Sequence, residues 1–219
     1  MLNWQAVIGI VAGFLSLLGF VPYLFTIYQG KTRPNRATWS IWAIVGIILS
    51  TSYYSSGAVD TLWVPACSAI GHVLIAILAF KYGEGGWNRF DRVCLLGSGI
   101  SLFLWWRFSS PVIALSINIV IDFLGALPTI RKSYYEPKTE DPLTWMIFLA
   151  AHTLNLFAIN HWSFALSAYP LYLFSVTITI VVLLLRPKRQ IQPNSYKPRK
   201  RRRITKSRAL YIRDTRNKR

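Results

Sequence analysis

The chain has 219 residues, 53% of them hydrophobic, with 25 Lys and Arg against 8 Asp and Glu and a formal charge of +17. Residues 1–185 hold ten of the cations and seven of the acids, whereas 186–219 hold fifteen cations and only Asp214. So few charges among such long apolar runs exclude an ordinary soluble domain and leave an apolar body with a strongly basic tail. Cys67 and Cys94 both lie in apolar runs, with no disulfide framework or zinc spacing.

A membrane helix needs about 20 mostly apolar residues. Seven stretches qualify: 5–28, 37–55, 60–81, 92–108, 111–130, 143–160 and 163–185. The first carries no Lys or Arg before Lys31 and exceeds the about 7–15 residues of a signal core, so it is expected to remain as a span. The linkers are short and hold turn residues, among them Gly30, Pro34, Gly57, Gly83, Pro137 and Pro142. Seven spans put the termini on opposite faces. One face then collects 24 cations and the other only Arg107. The positive-inside rule places the N-terminus outside and the tail in the cytoplasm, with the cell (inner) membrane as the expected location.

Sliding the chain on itself by 106 residues aligns two segments. Leu18, Gly19 and Pro22 meet Leu124, Gly125 and Pro128; Tyr28 meets Tyr134; Thr38, Trp39 and Ile41 meet Thr144, Trp145 and Ile147. A shift of 105 pairs Pro65 with Pro170. Spans 1–3 and 5–7 therefore read as copies. Each copy has an odd number of spans, so the fourth restores a common orientation. The expected fold is an all-α polytopic membrane protein built 3+1+3. Residues 1–82 form a first triple-helix bundle, 83–110 the linker helix, 111–186 a second bundle and 187–219 a basic tail.

Pro22 and Pro128 lie inside spans, where each removes an N–H from the ladder and clashes with the carbonyl four residues back. With Gly19 and Gly125 one turn earlier, they are candidate paired hinges. Asp122 is the carboxylate deepest in a span, and Asn118 precedes it by one turn. An ionisable group at depth is costly and marks a solute contact, a proton path or a helix-locking hydrogen bond. His72 with Ser68, His152 with Asn155, and Thr177 (the partner of His72 under the 105 shift) complete the candidate lining of a solute or proton pathway. Nine Trp near span ends read as an aromatic belt, with Trp39 and Trp145 also candidates to gate a cavity mouth. The tail run Arg199, Lys200, Arg201, Arg202 and Arg203 reads as an anchor on anionic lipid. No folded nucleic-acid module accompanies it, so nucleic acid is not an expected partner.

In this architecture, and in a proline inside the first helix of each triplet, residues 1–186 resemble the SWEET/PQ-loop transporter superfamily, whose halves are parallel repeats. The family's name-giving Gln after the proline is replaced here by Tyr23 and Thr129. Where SWEETs face the sugar with a pair of asparagines, the corresponding pair is His72 and Thr177, so sugar specificity does not carry over. The resemblance implies a carrier of a small polar, sugar-like solute that works by alternating access, without cofactor or metal. Two alternatives stand beside it: a proton-coupled PQ-loop-type amino-acid carrier, and a non-transporting seven-helix sensory or scaffold protein. Self-association into a homo-oligomer is compatible with each. An enzyme is not expected, since no nucleophile motif is present, and 163–185 has no Lys for a retinal Schiff base.

Overall fold

A computed structural model describes residues 3–55, 60–85, 88–107 and 111–186. It contains seven α-helices: α1 (Trp4–Tyr28), α2 (Arg36–Ser55), α3 (Trp63–Tyr82), α4 (Arg89–Arg107), α5 (Pro111–Tyr135), α6 (Pro142–Phe157) and α7 (Phe164–Leu185), with a 3-10 turn at Pro137–Thr139. Helix starts are set by side-chain caps. Asn3 accepts from the Ala6 N–H, Asn35 from the Thr38 N–H and Asp141 from the Thr144 N–H, each filling one orphan donor of a first turn. Helix α1 runs unbroken through Pro22, and α5 through Pro128.

Helices α1, α3 and α7 are long and apolar enough to cross a membrane, while α6 and the apolar part of α2 are shorter. The outward face is apolar, unlike that of a soluble protein. Along α1 the large side chains Trp4, Val7, Val11, Phe14, Leu18, Val21, Phe25 and Tyr28 are each at least 47% exposed. The opposite face buries Gly9, Ala12, Gly13, Ser16 and Gly19. Buried polar groups are spread through the interior: Ser16, Thr38, Ser68, Asn118, Asp122, Thr129, Asn155 and Thr177. Such continuous apolar stripes would be unstable in water and match hydrocarbon, so the described chain is a helical membrane protein.

The packing is ring-like. Helix α3 packs between α1 and α2, and α7 between α5 and α6; α1 meets α6, and α2 meets α5. Helix α4 stays outside this ring of six, against α5 and, more lightly, α2. Small residues bring the helices close, as is usual where no hydrophobic force drives association. A Cβ on Gly19 would lie 2.6 Å from the Phe148 ring, and one on Gly125 would lie 2.8 Å from Ile41. Gly19 and Gly125 therefore do not leave open space beside the prolines, as a pure hinge would require. They are the points where α1 touches α6 and α5 touches α2.

Candidate functional site

At the centre of the ring is a cavity of about 40 Å³, room for a few water molecules. Every helix of the ring lines it, and α4 does not. Phe20 comes from α1, Trp39, Trp42 and Gly46 from α2, Pro65, Ser68 and His72 from α3, and Asp122 from α5. Trp145, Phe148 and His152 come from α6, and Tyr169, Leu173, Val176 and Thr177 from α7. Five of the pathway candidates, Ser68, His72, Asp122, His152 and Thr177, thus meet at one place. So do both gate candidates, Trp39 and Trp145. Asn118 and Asn155 are buried on α5 and α6 but lie off the lining, and neither amide has a hydrogen-bond partner among the described residues.

The walls are mainly aromatic. Phe20 and Phe148 rings sit edge-on at 4.9 Å, Trp145 and Phe148 at 5.7 Å, and Trp39 and Trp42 at 5.4 Å. Trp42 is therefore not a belt residue: its ring is 6% exposed, and its Nε1 donates to the Asp122 carbonyl at 3.1 Å. Trp4, Trp63, Trp106 and Trp162 are exposed, as a belt requires; the Trp87 and Trp105 side chains lie outside what is described.

Polar groups are set into these walls. The Asp122 carboxylate accepts from Tyr172 OH at 2.6 Å and, more weakly, from Tyr169 OH at 3.4 Å. The Thr177 hydroxyl donates its one proton to the Leu173 carbonyl at 2.7 Å. It also lies 2.7 Å from His152 Nδ1, which acts as the donor there when the Thr177 proton is directed at the Leu173 carbonyl. Ser16 and Ser68 hydroxyls pair at 2.7 Å. Among the described residues His72 Nδ1 is buried without a hydrogen-bond partner, a costly arrangement unless something polar can enter.

The end of the bundle at the C-terminus of α5 is closed by a network that sequence reasoning missed. Glu140, 4% exposed, accepts from Tyr23 OH at 2.9 Å, Trp145 Nε1 at 3.0 Å and Lys132 Nζ at 2.9 Å. Lys132 also pairs with Glu84 at 3.3 Å and donates to the carbonyls of Thr139 and Arg33. Trp145 lines the central cavity, whereas Lys132 and Glu84 line a groove of about 790 Å³ beyond it. Glu140 bonds to a lining residue of each space, Trp145 of the cavity and Lys132 of the groove. Thr129 Oγ1 donates to Thr38 Oγ1 at 2.9 Å across the α5–α2 seam. The opposite end has an exposed tie, from Asn160 Nδ2 to Asp60 Oδ2 at 2.7 Å. The Glu140 network is thus buried and charged, whereas the tie at the opposite end is exposed.

The prolines take different positions: Pro128 is buried and lines the groove, while Pro22 is half-buried. Arg199 to Arg203 lie outside the described residues. No family model matches the chain, and neither the curated proteins nor the solved structures contain a match to it.

Proposed function

We propose that this chain is a carrier for a small polar solute, built as two like-facing three-helix units that rock about the central cavity. The carrying observation is that cavity, lined by all six helices of the ring and by none of α4. The ring's contacts support a duplicated origin. Exchanging α1 with α5, α2 with α6 and α3 with α7 turns each of the six packings between neighbouring ring helices into another of the six. The match extends to single residues. Gly19 abuts Ile147 and Phe148, and Gly125, 106 positions on, abuts Ile41 and Trp42, 106 positions before those partners. Asn35 caps toward Thr38 as Asp141 caps toward Thr144, again at a shift of 106. These correspondences favour two copies related by rotation about an axis along the membrane normal, with α4 as the joining span, the arrangement expected of a SWEET/PQ-loop relative.

In this reading all seven helices span the membrane. The cation bias puts the Glu140 network at the cytoplasmic mouth and the Asp60–Asn160 tie outside. The compact cavity is then an occluded state. The orphaned His72 nitrogen and the spare lone pairs of Asp122 are the contacts awaiting the solute. No cofactor is invoked and no covalent step is required. Buried Asp122 keeps the proton-coupled variant as a second reading. A sensory or scaffold role gives the orphaned groups no use. Counterflow in proteoliposomes with a panel of labelled sugars, amino acids and organic amines tests the proposal. Trans-accelerated exchange of any one solute supports it, and exchange at the rate of empty vesicles for all of them rejects it.

A further inference from the structure

Among the described residues, Asp122 is the one carboxylate on the cavity lining, and neither Lys nor Arg lines the cavity. Of the α5 cations, Lys132 is committed to Glu140 and Glu84, and Arg131 lies over the Phe90 and Tyr135 rings. Tyr172 and Tyr169 each donate one hydrogen bond to the carboxylate, out of about four acceptor positions on such a group. A buried carboxylate that stays ionised must be paired with an opposite charge or further donors to offset its desolvation. Beside it stands Trp42, anchored to the Asp122 carbonyl, with its ring 5.4 Å from Trp39 and 6.3 Å from Trp145. Indole faces attract cations within about 6 Å of the ring centroid. A wall of indoles adjoining a single carboxylate is complementary to an organic ammonium. It is less suited to the alternatives. A zwitterionic amino acid would bring a carboxylate with no cation to meet it. A hexose would bring many hydroxyls to few unpaired side-chain groups.

Resting on the carrier reading above, we propose that the solute is a small organic ammonium without a carboxylate, its charge held by Asp122 and its body against Trp42 and Trp39. The full chain in proteoliposomes is assayed for counterflow of choline and tetramethylammonium, with glucose and alanine alongside. The expected result is exchange of both ammonium probes, with glucose and alanine at the rate of empty vesicles. Asp122→Asn is expected to slow ammonium exchange at least tenfold. Trp42→Leu should do the same, while Trp42→Phe, which keeps an aromatic face, should retain at least a third of the rate. Should Asp122→Asn fail to yield monodisperse protein, the Leu and Phe variants at position 42 carry the comparison. Exchange of glucose or alanine without the ammonium probes overturns the inference and leaves the carrier standing. Exchange of none of the four overturns the inference, and the wider panel then decides on the carrier. Ammonium exchange that survives both Asp122→Asn and Trp42→Leu in full also overturns the inference.

Discussion

Glu140→Gln tests whether Glu140 separates cavity from groove. Three donors converge on the carboxylate: Tyr23 OH and Lys132 Nζ at 2.9 Å and Trp145 Nε1 at 3.0 Å. Removing one charge of a buried pair costs about 3–5 kcal/mol when the other is stranded. Lys132 is not stranded, because Glu84 remains at 3.3 Å and the Thr139 carbonyl at 3.1 Å. Glutamine also keeps an acceptor for Tyr23 or Trp145. The loss is then nearer that of one charge-assisted hydrogen bond, about 2 kcal/mol. If the network exists only when this mouth is shut, about 2 kcal/mol moves the open-to-shut ratio about thirtyfold. The assay is labelling of Thr129→Cys by a membrane-impermeant thiol reagent, with Cys67 and Cys94 replaced by alanine. Thr129 is fully buried on α5, between cavity-lining Asp122 and groove-lining Lys132. Glu140→Gln should label about thirty times faster than its parent. A rate within twofold of the parent, in monodisperse protein, would refute the idea that Glu140 bars the way.

Gly19→Ala and Gly125→Ala each push a methyl against a packed neighbour, at 2.6 Å from Phe148 and 2.8 Å from Ile41. Each should destabilise by about 1–3 kcal/mol, seen as a lowered melting temperature in detergent; a change in only one of them would argue against equivalent seams. Pro22→Ala and Pro128→Ala should insert normally yet lower solute exchange together, and full exchange in the double variant would remove the prolines from the mechanism. Truncation after Arg186 should leave exchange intact while abolishing attachment of the tail to anionic vesicles, at about 1 kcal/mol per basic residue near the surface. Loss of exchange instead would give the tail a part in transport.

The helices were legible because apolar length marks a bilayer-spanning segment directly. Their ends were less so. Helix α5 runs to Tyr135, past the expected limit at 130, because hydropathy registers the membrane edge while the backbone continues until Pro137. Helix α6 stops at Phe157, short of 160, where the Ala158 N–H turns back to the Asn155 carbonyl. The cavity was half legible. Asp122, His72, His152, Ser68 and Thr177 could be singled out as polar groups in apolar runs, but Phe20, Phe148 and Trp42 look like any apolar or interfacial residue until the ring places them. The Glu140 network was invisible for a different reason. A Glu in a short, charged linker reads as solvated, and Lys132 read only as an orientation signal. The one available clue was an asymmetry between the copies. Trp39 and Trp145 correspond, yet Pro34 stands where the second copy has Glu140. That difference leaves Trp39 Nε1 without the acceptor that Trp145 enjoys.

Spin-label distances across both mouths test the two-unit account most directly. One pair of labels at positions 60 and 160 spans the end carrying the Asp60–Asn160 tie, and another at 31 and 138 spans the Glu140 end. Double electron–electron resonance in lipid should resolve a short and a long population for each pair. Glu140→Gln should lengthen the 31–138 distances and shorten the 60–160 distances in the same sample. A single unchanging distance at each end, or both ends widening together, would contradict a pair of units rocking about a shared cavity.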